Sequence, residues 1–509
     1  MKSIKIILIW LCVALVAHSQ SQYGQSWLIG VAGYSIKFDN NTILHDTNYI
    51  GYLGQFEFRW GNTNICNTNG DIRYISEGYS IIHPDGSFLD NGDTLEYLMW
   101  TNYSICCGKY SQKSIFLPVE NDKIYYINAN MSDSMFINND DTNNINHLLF
   151  PYDRLTYSVI DGQANGGLGK VTQRMMPILE NKLLERSTMN ACRHGNGKDW
   201  WLLKLAADSN DLYCIRVTQD SVVYERKLKL PFLFNATGGV NLGQLQFNNA
   251  GTQLVLLRPS FEPVDSSYYM LTADFDRCYG TISNAKKIKF PKQSYQFISL
   301  VKEDSVGRGV AFSPNGRFIY YSGVYYIMQY DQWDGTFYKV AEMDTIAAQF
   351  NLYNSLQLAP NGKIYIGHYH GGSKQFSVID NPDEKGAACN FCRKCLRVQK
   401  VGFEIFNNVP HLPNYALGAV QGGCWPQSIS QSAGVPLRQW AIFPNPASGL
   451  LNIKRDESEK EKLVFMNTQG QVVKEIILKG KETKVDISEL AAGVYYLKMG
   501  GVVKKMVKE

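Results

Sequence analysis

The sequence predicts an all-β protein in two parts, a large repeat domain and a small C-terminal sandwich. Three observations predict it. A turn phrase recurs along the chain, 31 tyrosines and 24 phenylalanines favour strands over helices, and the texture changes abruptly after Cys424.

The phrase is clearest as "FSPNGRFIYYSG", Phe312 to Gly323, and "LAPNGKIYIGHY", Leu358 to Tyr369. Pro314 presets φ for the second position of a type I turn. Asn315 tolerates the third, and Gly316 takes the positive φ that closes it. An apolar run precedes the turn and Phe318–Tyr321 follows it, so the phrase reads as strand, turn, strand. Pro360, Asn361 and Gly362 repeat it. Weaker echoes are "FNNAGTQLVLL", "CNTNGDIRYIS", "RHGNGKDWWLL" and "ENDKIYYI". The turn markers fall at 70, 122, 197, 251, 316 and 362, with gaps of 52, 75, 54, 65 and 46 residues. Blade-sized periods of about 40–50 residues, each holding several short strands, predict a β-propeller. The spacing implies six or seven blades, with seven favoured, over residues 21–424. The last blade is expected to close by the first strand pairing with the segment near Leu412–Val420. One stretch reads as a short helix, "RMMPILENKLLERS", Arg174 to Ser187, with Pro177 inside it.

Residues 1–20 read as a cleavable signal peptide. Lys2 and Lys5 precede the apolar stretch Ile6–Val16, and Ala17-His18-Ser19 fits a cleavage site. No later segment is long and apolar enough for a transmembrane helix. Residues 21–436 carry 35 basic and 37 acidic side chains. That balance offers no basic excess of the kind nucleic-acid binding needs.

Ten cysteines remain beyond Cys12, and an even count in an exported chain suggests disulfides. The sharpest cluster is "CNFCRKC", Cys389 to Cys395. Cys389, Cys392 and Cys395 read either as loop disulfides reaching Cys424, or as a thiolate metal site or redox pair lacking a well-spaced fourth ligand. His368 and His370, two apart on a strand, share one face and read as surface histidines at a strand end or the start of a metal site. Trp200–Trp201 offers a stacking platform for a sugar ring, or else core packing at a blade edge. "GGLGK", Gly166 to Lys170, lacks the rest of a phosphate loop. No nucleophile elbow, P-loop or zinc-protease motif occurs. No residue is therefore assigned a catalytic, cofactor or metal role.

Residues 425–440 read as a polar linker. Beyond it come "AIFPNPASGLLNI", "LVFMNTQGQVVKEI" and "VDISELAAGVYYLKM", each a strand bounded by turn residues. In about 70 residues these make a small sandwich of six or seven strands. The stretch 441–509 resembles the type A C-terminal sorting domain of the type IX secretion pathway. The matching residues are Phe443, Pro444, Asn445 and Pro446, then Gly470, then Gly493 and Tyr495, and the basic end Lys504–Lys505. The resemblance implies export through the inner membrane by the signal peptide. It also implies passage of the outer membrane directed by the tail, whose partner is the type IX machinery. In that family the tail is usually removed, and the body is released or held at the surface. The body looks like a propeller group fused to such tails, and "FSPNG" is similar to the inner hairpin of WD-like repeats; Cys392 and Cys395 depart from that group's simpler "ACNF" pattern. Two functions fit an exported propeller. One is a binding module for a glycan or protein, and the other an extracellular polysaccharide hydrolase with carboxylates at the channel mouth.

Overall fold

The computed structural model describes residues 22–29, 34–39, 42–46, 63–95, 112–135, 151–231, 243–257, 269–291, 309–323, 325–342, 352–369, 375–397, 409–424, 440–455, 460–467, 471–499 and 502–509. Residues 1–20, read above as a signal peptide, lie outside them, as do Cys106, Cys107, His370 and Gly470. The chain divides into two compact units, Met1–Gly423 and Cys424–Glu509.

Seven antiparallel meanders follow one another through the described residues of the first unit. The first holds β1 (Ser26–Ile29), β2 (Tyr34–Asp39) and β3 (Thr42–Asp46), and the second pairs β4 (Thr63–Cys66) with β5 (Ile72–Ser76). The third and fourth share one strand. β6 (Ser114–Pro118), β7 (Lys123–Asn130) and β8 (Tyr152–Asp161) pair with the first half of β9 (Lys170–Arg193). The second half of β9 pairs with β10 (Trp200–Ala206), followed by β11 (Asp211–Val217) and β12 (Val222–Lys229). The fifth is β13 (Gln244–Phe247), β14 (Gln253–Leu257), β15 (Tyr269–Asp276) and β16 (Thr281–Lys289). The sixth is β17 (Gly309–Phe312), β18 (Phe318–Ser322), β19 (Tyr326–Asp331) and β20 (Phe337–Glu342). The seventh is β21 (Leu352–Leu358), β22 (Ile364–Tyr369), β23 (Gln375–Ile379) and β24 (Phe391–Arg397). First strands lie beside one another from blade to blade: β4 by β6, β9 by β13, β13 by β17, β17 by β21. This is the order of a β-propeller.

The repeated phrase does what its residues require. Gly70, Asp122, Gly197, Gly251, Gly316 and Gly362 all have positive φ, from 58° to 81°. Each sits in the turn between the first two strands of a blade, or of a half-blade begun by β9.

Arg174–Ser187 is not a helix. It lies inside β9, a strand of 24 residues. Residues up to Leu184 pair with β8, and Leu184 to Arg193 pair with β10. Bulges reconcile the sequence with the ladder: Met175, Asn181 and Thr188 have φ of 50°, 53° and 58°, and the β8 register shifts repeatedly. Pro177, which has no N–H to give, faces Thr156 across a register shift. Before Leu184 most residues of β9 are exposed or half-buried, and Leu184 to Arg193 are all buried, because it begins as the outer strand of one blade and ends as the inner strand of the next.

Closure also differs from expectation. β1 pairs with β2, and residues 409–424 form no strand. The first and seventh blades meet through rings: Trp27 lies 5.5 Å from Tyr365 and 4.8 Å from Phe38, and Phe38 lies 5.5 Å from Tyr365. Residues 409–423 form a strap across several blades. The His411 carbonyl accepts from Thr63 Oγ1 at 3.2 Å, and the Leu412 carbonyl from Gln357 Nε2 at 3.3 Å. Tyr415 donates to the Phe116 carbonyl at 2.9 Å, Asn414 to Asn249 at 2.9 Å, and the Val420 N–H to Gly195 at 2.9 Å. Arg277 donates to the Gly418 carbonyl.

The second unit is a seven-stranded sandwich. β25 (Trp440–Phe443), β26 (Leu450–Arg455) and β29 (Glu482–Asp486) form one sheet, with β27 (Glu461–Met466), β28 (Val472–Leu478), β30 (Gly493–Met499) and β31 (Val502–Lys508) in the other. Alternate residues such as Leu451, Ile453, Leu463, Phe465 and Leu497 fill the core between them.

Candidate functional site

The turns that close the inner hairpins share one face of the propeller, and a cup of about 850 Å³ opens there. Its rim comes from turn residues such as Asn69, Asn249, Pro314 and Asn361, and one wall from strap residues Leu412 to Leu417. Ten of its lining residues are Asn or Gln, whereas Lys37 and Asp39 are its only charged ones among the described residues. Lys37 is itself tied to Asp71 at 2.7 Å.

Beneath the cup the axis is filled by amides. Gln112 exchanges two hydrogen bonds of 2.8 Å with the backbone of Leu245, as a paired peptide would. Asn190 donates to the Leu245 carbonyl at 2.8 Å and to Gln246 Oε1 at 3.0 Å. Gln244 Oε1 accepts from the N–H groups of Val310 and Leu356 at 2.9 and 3.1 Å, linking three blades. Inner strands of neighbouring blades diverge too much to share a ladder, and these side chains satisfy the backbone groups left over. His411 lies in this network, with Gln112 Nε2 donating to its Nδ1 at 3.1 Å. Burial, reinforced by Lys204, pushes the imidazole down to about 3, so it is neutral.

Cys192 forms part of the cup floor. Burial pushes its thiol up to about 12, which makes it an unreactive packing residue. Elsewhere, burial raises Glu77 to about 7, and it lowers Lys204 to about 7. Among the described residues no group of three or more His, Cys, Asp or Glu side chains is placed to hold a metal ion.

Trp200 and Trp201 are not a ligand platform. Both are buried, at 0% and 2% exposure. Successive residues on a strand point to opposite faces, so Trp200 donates its indole N–H to Pro118 of blade three and Trp201 to Arg277 of blade five, each at 2.8 Å. The doublet fastens blade four to both neighbours. His368 is no surface residue either. It is buried, with Nε2 3.0 Å from Ser377 Oγ and its ring against Tyr353.

The cysteines divide. Cys392 and Cys395 are joined in a disulfide within β24, and Cys278 and Cys424 are each disulfide-bonded. Cys389 is a free buried thiol, as are Cys66, Cys192 and Cys214. The even count therefore misleads, because several cysteines serve as small apolar core residues.

The most exposed aromatic among the described residues is one that sequence reading missed, Trp333, in the turn Asp331–Gly335 between β19 and β20. Its signal was a Trp beside Asp-Gly in a turn.

In the sandwich, the Pro-Asn-Pro turn docks on the last strand. Asn445 donates to the Lys505 carbonyl at 2.9 Å and accepts from the Val507 N–H at 2.8 Å. Tyr495 donates to the Ala491 carbonyl at 2.8 Å, and the Lys504 ammonium lies 5.5 Å from the Trp440 ring centroid. Phe443 is exposed, as are Leu450, Val472 and Ile477.

Residues 441–509 match the family described as secretion system C-terminal sorting domain. No curated protein sequence matches the chain. Similar solved structures include apo AztD from Citrobacter koseri, at 11% identity and TM-score 0.38, covering 77% of this chain and 89% of that one. A candidate 6-phosphogluconolactonase from Bacteroides uniformis is similar at 10% identity and TM-score 0.34, covering 90% and 99%. The extracellular domain of a candidate hybrid two-component system from B. thetaiotaomicron is similar at 12% and 0.34, covering 76% of this chain and 35% of that one. This chain thus spans about a third of the last protein's length. At these TM-scores the likenesses say nothing about substrate or activity. No helix among the described residues is long and apolar enough to cross a membrane. The chain is a β-propeller carrying at residues 441–509 a sorting domain of the type IX pathway, which directs it to the cell surface or the medium.

Proposed function

We propose that the propeller is an extracellular carbohydrate-recognition module and that its cup receives the sugar. The observation that carries this reading is the amide-rich lining. A sugar hydroxyl donates and accepts, and so does a carboxamide, without the cost of desolvating a charge. Glycoside hydrolysis commonly needs two carboxyl groups flanking the bond, and Asp39 is the single carboxylate among the described lining residues. The lining therefore favours binding over cleavage.

The test is a titration of the protein against soluble polysaccharides, with reducing-end analysis of the same samples. Saturable binding without release of sugar is expected. Asn249→Ala removes a rim amide held by Asn414 and should weaken binding about tenfold, as loss of one well-placed hydrogen bond does. Released reducing ends would replace the proposal with a hydrolase, and unchanged binding by Asn249→Ala would remove the cup from it.

A further inference from the structure

We propose that Trp333 and the groove beside it form a second sugar subsite, outward of the cup, taking pyranose rings with an apolar face such as β-linked glucose. The choice of ligand class rests on the reading of the cup; the site itself stands on its own geometry.

Trp333 is 76% exposed, more than any other large apolar side chain among the described residues. It contributes little to the core, yet it is held firmly. The Arg317 guanidinium lies 4.0 Å from its ring centroid and covers one face. Arg317 is fixed in turn by Asp331, whose two carboxylate oxygens accept from Nε and Nη2 at 3.1 and 2.7 Å. The Asp331 side chain is fully buried. It also accepts the Trp333 backbone N–H at 3.0 Å, and its carbonyl accepts from Gly335 at 2.9 Å. The indole thus stands on a rigid turn, one face braced by a cation and the other open to solvent. A stacking partner loses little entropy against so fixed a ring.

The surroundings choose between partners. A groove of about 380 Å³ runs between blades five and six, up to Gln332, the residue before Trp333. Gln253, Thr272, Asp274, Asn284 and Lys286 line it with donors and acceptors. Asp334, on the same turn, pairs at 2.7 Å with Lys385 from the β23–β24 connection of blade seven. A protein hot spot centred on Trp is usually ringed by contacts that exclude water, whereas this ring is bordered by charges and amides. A pyranose whose hydroxyls are all equatorial presents axial C–H groups to the open indole face and its hydroxyls to the groove. The platform also adjoins the cup. Gln332 donates through Nε2 to the Gly316 carbonyl at 2.7 Å, and through its backbone N–H to Arg317 at 3.1 Å. The turn it grips follows Pro314 on the cup rim, which sets the platform beside the cup.

The test uses the full chain and three named hexasaccharides of glucose: cellohexaose, laminarihexaose and maltohexaose. Affinities are measured by titration calorimetry for the parent, Trp333→Ala, Trp333→Tyr and Asn249→Ala. For the best-bound probe, Trp333→Ala should lose about tenfold and Trp333→Tyr no more than about threefold, since a smaller ring keeps part of the stack. The unfolding midpoint of Trp333→Ala should match the parent, because the side chain is exposed. A tenfold loss in Trp333→Ala supports the subsite whether or not Asn249→Ala also weakens binding; loss in Asn249→Ala tests the cup separately. Binding by Trp333→Ala within about twofold of the parent would overturn the subsite, as would failure of all three probes to bind.

Discussion

Two junctions in the propeller join neighbouring blades by different means. Between blades three and four the chain never leaves the sheet: β9 pairs with β8 along its first half and with β10 along its second. Between blades seven and one no ladder crosses among the described residues. Trp27 packs edge to face on Phe38 and on Tyr365, those two rings tilt against each other, and a strap without regular structure threads past them. The first junction spreads its stability over many backbone hydrogen bonds, each modest. The second concentrates it in a few buried aromatic rings and side-chain-to-backbone bonds. The junction built from main chain tolerates an unpromising sequence, Pro177 included. The junction built from side chains depends on the identity of each residue.

The largest expected effect breaks the concentrated junction. Trp27→Ala should cost about 3–5 kcal/mol, as large buried rings do, and denaturant unfolding measures it. Hydrogen exchange should then rise in β1, β2 and β22 while β9 keeps its protection. Equal loosening at β9 would show that the two junctions do not differ.

Next in size is a pair of glycines in equivalent turns. A Cβ at Gly251 would sit 2.6 Å from Cys192 Sγ and 2.7 Å from the strap residue Leu417, whereas nothing lies within 4 Å at Gly362. Both have positive φ, 69° and 77°. Gly362→Ala should cost about 1–2 kcal/mol from backbone strain alone, and Gly251→Ala about 2–4 kcal/mol because it also displaces the strap. Equal losses in thermal unfolding would mean that the strap carries no strain.

The smallest effect is on pH. His411 is held near 3 in the folded protein, against an ordinary value of 6.5. A group depressed in this way contributes stability that is full above pH 6.5 and falls as the pH falls towards 3. Glu77, raised to about 7 by burial, works in the opposite sense, contributing more as the pH falls from 7 towards 4.5. The difference between variants isolates the histidine. Between pH 7 and 5 the parent should lose about 1–2 kcal/mol more than His411→Gln. Parallel pH curves for the two proteins would show that protonation of His411 does not loosen the strap.

The contrast between junctions also marks what was legible in the sequence. The six turns announced themselves, because positive φ demands Gly, Asn or Asp. The sandwich tail was legible for the same reason, through its Pro-Asn-Pro and Gly signals. β9 was not. Met, Leu, Glu and Lys at mixed spacing look helical, and only the flanking strands β8 and β10 overrule that preference. The strap was read as a closing strand, because sequence does not reveal that side-chain amides would take over the ladder's bonds. The cup was invisible for a further reason: its ten amides come from turns, inner strands and strap alike, spread from Gln22 to Asn414. Trp200–Trp201 read either as a platform or as core packing and is core, whereas Trp333, alone in its turn, stays in solvent.

The strap also sets an order of events. Its residues, 409 to 423, are the last stretch of the first unit to leave the ribosome, after every blade has been made. A nascent chain stopped before Val409 holds all seven meanders and lacks the piece that locks them. The locking piece precedes the sorting tail of residues 441–509, so chains that carry the export address also carry their own lock. A product truncated before Val409 has neither.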